Sequence, residues 1–317
     1  MSTALTFCLA LSAAFGAAMP SFPAEMDFLN QLPAEDEDKV VDAVRQFTLL
    51  QISLMEWDME IMQELAVIEN GQDDARVRGE SAKKRVAQVG EALKVLTQRY
   101  PRNARALNYY GEYLYDYSGD EVGALRYWKE ATTYDDKLAL PYNNLGIHYS
   151  HTGQLAFGLD NYKKALELEP DNPDFKFNLA QTYLINTAEV AKHLKSDEVK
   201  VYKEGMQLSK EAAEAKPSDY KLQEDYATNF YAADRFDVKL DWADAAAAWQ
   251  RARAAAGNND QVFFSWLNEA RAWIRKPNVA NAEKCLREAL ALRPDNPVAT
   301  QLLEKITSGA VEDAKAN

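Results

Sequence analysis

Glycine and proline are scarce in this chain, 13 and 11 among 317 residues, which leaves little material for the many tight turns of an all-β domain. No segment shows convincing strand-type alternation, so helices are expected to carry the fold. Cysteine is scarcer still. With Cys8 in an apolar N-terminal segment and Cys285 far downstream, a chain shortened at its N-terminus keeps one thiol and makes no internal disulfide, a pattern that does not decide the compartment. Positive charge is also short: 36 Lys and Arg against 49 Asp and Glu give a net charge of -13. Such a chain repels phosphates, and its basic clusters (Lys83, Lys84 and Arg85; Arg271, Arg275 and Lys276) are brief and lie in helical sequence, so nucleic acid is not the expected partner. A glycine-rich phosphate loop, a nucleophile elbow and an acid–base pair of catalytic spacing are all missing. His148 and His151 lie one helical turn apart, but no Cys, Asp or Glu joins them at ligand spacing on that helix. Cys285, beside Leu286 on an apolar helix face, reads as an inert core thiol. The expectation is a protein with no catalytic residues, no metal and no cofactor.

Charge is absent altogether from Met1 to Ala24; the first charged residue is Glu25. Leu5 to Phe15 has the character of an export-signal core, and Gly16-Ala17-Ala18 offers small residues for cleavage, although the usual Lys or Arg near Met1 is missing. Residues 1–24 are therefore expected to be a cleaved signal peptide that exports the chain to a periplasm or beyond. An uncleaved anchor and a cytoplasmic N-terminus are the alternatives; the run is short for a membrane span.

What is present is helical periodicity. Residues 25–38, with Pro33 and the acidic run Glu35 to Asp38, read as a linker. From Lys39 to Glu69 apolar residues recur at helical spacing through Val40, Val44, Phe47, Leu50, Leu54, Trp57, Ile61, Leu65 and Ile68, and Asn70-Gly71 stops the helix. A second helix is expected from about Glu80 to Gln98, so that 39–100 forms a helical hairpin.

Beyond Pro101 the chain repeats itself. The clearest unit, Ala139 to Asn172, has the helix-turn-helix length of about 34 residues and places Tyr142, Leu145, Gly146, Tyr149, Gly158, Tyr162, Ala165 and Pro170 in a pattern met again from Phe263 to Asn296. Three further units, 104–138, 173–219 and 220–259, share it with altered spacing: one extra residue near Ser118-Gly119-Asp120, an insertion at Thr187–Lys203, and a shorter one at Phe236–Asp241. A capping helix and tail, 297–317, follow. At the helix crossings the slots hold Gly111, Gly146, Ala180, Ala227 and Ala270, then Ala124, Gly158, Gly205, Ala245 and Ala282, then Ala131, Ala165, Ala212, Ala252 and Ala289. Every one is small, as close approach of helix axes requires. A lone hairpin cannot cover its apolar faces, so neighbours must stack.

Over roughly two-thirds of its length the chain thus resembles the tetratricopeptide family. The resemblance implies an all-α, right-handed α-solenoid of tetratricopeptide-type helical hairpins whose first helices line a concave groove for a peptide or partner protein. Along those first helices the sixth slot reads Tyr109, Asn144, Asn178, Asp225 and Asn268. In related superhelices an asparagine there faces the groove and can hold an extended peptide by its backbone; alternatively it only fixes neighbouring helices. Tyr115, Asn143, Ile147, His151, Phe177 and Gln181 lie on adjacent turns as groove candidates. The carboxylate clamp of chaperone-binding relatives is not matched, since Asn108 and Glu112, then Asp174 and Asn178, stand where Lys, Asn and Arg are needed, and Asn144 alone agrees. Capture of an acidic chaperone tail is not expected.

The two insertions fall in corresponding turns and are expected to emerge on one edge, as partner contacts or as tolerated loops. The functional expectation is an adaptor or scaffold that binds a partner protein or peptide, as an exported envelope assembly factor. A self-assembling structural subunit (a homo-oligomer) and a cytosolic co-chaperone-like adaptor are the alternatives. The steric reading has a direct test: Gly146→Leu should cost about 1–3 kcal/mol by overpacking a helix crossing, and an unchanged thermal midpoint would show that Gly146 is not at one.

Overall fold

A computed structural model describes residues 36–68 and 71–308. The export-like segment, most of the acidic linker, Asn70 and the tail from 309 lie outside the described residues. Those described are all-α, and no strand occurs among them. The chain divides into two compact units, Met1–His148 and Tyr149–Asn317.

In unit 1, α1 (Glu37–Ala66) and α2 (Gln72–Arg99) form a long hairpin, followed by α3 (Ala104–Tyr113), α4 (Glu121–Tyr134) and most of α5 (Ala139–His151). Of the acidic run, Glu37 and Asp38 belong to α1 and Asp36 is its cap. Asp36 caps the helix by accepting from the Lys39 amide at 3.3 Å, and Glu37 and Asp38 occupy the first turn, where carboxylates meet the positive end of the helix dipole. Likewise α2 begins at Gln72, well before the expected Glu80, because Asp73 and Asp74 favour a helix start while offering no apolar period to read. The extra residue of the first repeat is absorbed as a π-turn over Leu114–Ser118, closed by Gly119 at φ +70°. A single added residue in a helix widens one turn in this way.

Unit 2 contains α6 (Leu155–Leu168), α7 (Pro173–Ile185), α8 (Thr187–Leu194), α9 (Glu198–Ala215), α10 (Tyr220–Asn229), α11 (Trp242–Ala254), α12 (Asn259–Arg275), α13 (Val279–Leu292) and α14 (Pro297–Thr307), with a 3-10 turn at Phe230–Phe236. Within each unit nearly every helix packs on the next one in sequence, as solenoid stacking requires. Asn or Asp side chains cap the repeat starts: Asn103, Asn172, Asp219, Asn258 and Asn296 each accept from a backbone amide two or three residues on.

The insertion Thr187–Lys203 is not a loop. Most of it is α8 and the first turn and a half of α9, held by buried Thr187, Val190 and Ala191. The Thr187 hydroxyl donates to the Tyr183 carbonyl at 2.9 Å. The second insertion meets the first: Phe236 lies 5.1 Å from the Tyr202 ring, and Val238 and Leu240 join Leu184, Tyr202 and Ala233 in a small core. Burial pushes the Tyr202 phenol up to about 12. The two insertions therefore share an edge and cover each other there.

All the small crossing residues are buried. At Gly111 a Cβ would lie 2.5 Å from Trp128 Nε1, and at Gly205 one would lie 2.8 Å from Leu184 Cγ. Neither site has room for even a methyl group without displacement of a packed side chain.

The hairpin arm is different, since its outer half has a polar centre. Asp58 is fully buried and accepts from Arg78 Nη1 at 3.0 Å, Ser81 Oγ at 2.7 Å and Arg85 Nε at 2.9 Å, while Arg85 also reaches Gln51 Oε1. Burial pushes this carboxyl up, but the hydrogen bonds from Arg85, Ser81 and Arg78 together outweigh it and hold the group below its ordinary 3.8. Losing the charge leaves two guanidinium groups without their partner. We expect Asp58→Asn to cost about 2–4 kcal/mol at neutral pH, less than for a fully buried pair because Arg78 keeps 40% of its side chain exposed. The folded value lies below the unfolded one, so the contribution is complete above the ordinary carboxylate range and fades as pH falls through the folded value. Urea midpoints measured from pH 7 down to about 3 should fall less steeply for Asp58→Asn than for wild type.

Candidate interaction surface

In both units one polar link recurs between the first helices of successive repeats. In unit 1 the Asn144 side-chain amide donates to Asn108 Oδ1 at 3.0 Å and to Glu112 Oε1 at 3.2 Å; Glu112 also accepts from Asn108 and from Arg45 Nη1 at 3.0 Å. In unit 2 the Gln181 amide donates to Asp225 Oδ1, and Ser209 and Asn229 donate to Asp225 Oδ2, both at 2.9 Å. The sixth slot of one repeat thus bonds to the ninth slot of the repeat before it, in each unit. Asn268 is buried; it donates to the Phe264 carbonyl at 2.9 Å and accepts from Arg271 Nη1 at 2.9 Å, while its own carbonyl accepts from the Tyr231 hydroxyl. These groups tie helices together. The side-chain donors of Asn144 and Gln181 and both carboxylate oxygens of Asp225 are thus bonded within the protein.

The remaining sequence candidates are scattered in character. Asn143 is buried, Asn178 and Ile147 are half-buried, and His151 is exposed. Tyr115 packs edge-on against His148, with ring centres 6.1 Å apart, and against Trp128. Phe177 keeps a half-buried ring with the Lys221 ammonium 5.1 Å from its centre. Cys285 is buried, and burial followed by the nearby Glu269 pushes its thiol up to about 12. Glu269 is itself buried and is bound by Arg253 and by Gln250 Nε2 at 2.7 Å.

An open hollow of about 370 Å³ lies nearby in unit 2, between the starts of α10 and α12 and the end of α13, lined by Tyr220, Glu224, Asp260, Gln261, Phe263, Phe264 and Arg293. Its volume falls at the lower end of ligand-sized pockets. Phe264 presents its ring at 40% exposure, and the Arg293 guanidinium sits 4.5 Å above Phe263 while pairing with Asp260. Burial, and then the adjacent Asp225, pushes the Glu224 carboxyl up; burial also pushes Asp225 up, against the hydrogen bonds from Ser209, Gln181 and Asn229. A half-buried carboxylate next to a second one attracts a cation. The sequence reading missed this hollow, whose clearest signal was Glu224 and Phe264 at the fifth and second slots of successive first helices.

Many solved structures are similar to this chain, among them these two. One is YrrB, a tetratricopeptide-repeat protein described as having an unusual peptide-binding site, at 17% identity and a TM-score of 0.50 over 68% of this chain and 99% of that one. The other is the C-terminal part of a repeat-containing protein of Cytophaga hutchinsonii, at 14% identity and a TM-score of 0.52 over 86% of this chain and 99% of that one. The chain has the tetratricopeptide-repeat fold. No family model matches it, and no curated protein matches it by sequence. At these identities the likeness shows the fold alone, and the fold hosts many roles.

Proposed function

We propose that this protein is a non-enzymatic adaptor that binds an extended basic segment of a partner protein along the first helices of unit 2, with one cationic side chain in the hollow beside Glu224. The observation that carries the reading is the hollow itself: it joins an exposed aromatic ring, Phe264, to a half-buried carboxylate, Glu224. An aromatic face and a carboxylate together suit an ammonium or guanidinium group, and the net charge of -13 favours approach of a basic partner.

A photo-crosslinking residue at position 264 in the producing cell should capture the partner, and the same residue at exposed Val122, on α4, should not. Against a peptide taken from that partner, Glu224→Lys should lower affinity at least about tenfold, or about 1.4 kcal/mol. Because Glu224 titrates above its ordinary value, affinity should also fall as acidification protonates it, and Glu224→Gln should lose that dependence. Equal capture at 264 and 122, or an unchanged affinity for Glu224→Lys, contradicts the proposal.

For the place of action we propose export, which rests on the uncharged segment 1–24 and would make the protein an envelope assembly factor. Mass spectrometry of the mature N-terminus tests it: a first residue near Met19 is expected, and an intact Met1 or Ser2 contradicts cleavage.

A further inference from the structure

The hairpin arm extends beyond the layer that covers it. By their residue counts α1 and α2 run about 45 and 42 Å, whereas α3 with its π-turn runs about half that. Near its base the arm is conventionally packed, with Val41, Val44, Leu93 and Leu96 against Ala106 and Tyr109. Tyr113 and Tyr117 then reach it beside Ile52, Met55 and Val86. Farther out the buried side chains of the two helices are only Asp58, Ala75 and Ala82.

Another flank of the arm exposes apolar side chains, with the Arg78 guanidinium 5.4 Å from the centre of the Trp57 ring. Leu54, Trp57, Ile61 and Ile68 recur at heptad-type spacing along one stripe of α1 and its C-terminal end, and Val77 is an exposed apolar residue near the start of α2. Trp57, Ile68 and Val77 are 46%, 54% and 55% exposed. The two helices also carry opposite charge. Between Arg45 and Arg76 there is no Lys or Arg, while Glu56, Glu60 and Glu64 point outward from α1. On α2, Arg78 and Arg85 hold Asp58 and Arg76 pairs with Glu80, which leaves Lys83 and Lys84 as exposed cations facing solvent.

We propose that this flank is an interface between two copies of the chain, which pair side by side about a twofold axis running along the arm. That axis sets each acidic α1 against the basic α2 of the second copy and closes a four-helix bundle around Trp57 and Ile61. A twofold axis perpendicular to the arm would instead place α1 against α1, with glutamates facing glutamates, which is unfavourable. The charge pattern therefore selects both the occupant, a second copy, and its direction.

Sedimentation of the full chain up to about 100 µM tests this, since a specific interface of this kind holds in the micromolar range. Wild type should dimerise, and Trp57→Glu should be monomeric with unchanged helical circular dichroism. Glu60→Lys and Lys84→Glu should each weaken the dimer at least about tenfold, and the two together should restore it to within about threefold. Both charged positions are exposed, so this swap decides the matter even if Trp57→Glu unfolds the arm. A monomeric wild type overturns the proposal, as does a double reversal no better than the single ones. Association unaffected by all of these variants also overturns it, and would point to residues 1–35 or another surface.

Discussion

The fold depends on contact between helices at residues with almost no side chain. Where Gly111 meets Trp128, the indole lies where a methyl group would otherwise be, so the separation of α3 from α4 is set by the absence of a Cβ. The same geometry repeats with alanine at Ala180, Ala227 and Ala270 and at Ala131, Ala212, Ala252 and Ala289, all fully buried. Large neighbours such as Trp128, Tyr183 and Trp249 then fill the space between crossings. Small and large residues act together here: enlarging the first or shrinking the second changes the spacing of a layer, and a stack transmits that change to the next layer.

Polar groups refine what the steric pattern begins. The link from Glu112 to Asn144 and the link from Gln181 to Asp225 join the same slots in different units, and both lie on helix faces that would otherwise be free for a ligand. A buried amide or carboxylate needs its partners inside the protein, and here the neighbouring helix supplies them. Under the proposed function, recognition falls to side chains at the second and fifth slots and to the hollow beside Glu224. The arm applies the same rule more heavily, since Asp58 with two arginines occupies a place where an apolar residue would ordinarily sit. Such a centre fixes which residues face each other while leaving apolar flanks uncovered.

Much of this was legible in the sequence, for physical reasons that differ by element. The crossing residues were legible because sterics admits only glycine or alanine there, whatever the neighbours. The start of α2 was not, because residues 72–79 have acidic capping chemistry but bury only Ala75. The helix α8 was not legible within its insertion, because so short an element hides only Thr187, Val190 and Ala191, too few to show a period. The asparagine slot was visible, but its use was not: an amide that holds a helix and one that holds a peptide look alike until the distances to Asn108 and Glu112 are known. The hollow could not be read along the chain, since Glu224, Asp260 and Arg293 come together only through the stacking of repeats.

The most direct test of the steric account is a double-mutant cycle between Gly111 and Trp128, read by chemical denaturation. Gly111→Ala should cost about 1–3 kcal/mol in the native background, because its methyl group collides with the indole. In a Trp128→Leu background the same substitution should cost at least about 1 kcal/mol less, because the colliding ring is gone. Additive costs, with Gly111→Ala equally harmful in both backgrounds, would contradict the claim that these two residues set the helix spacing.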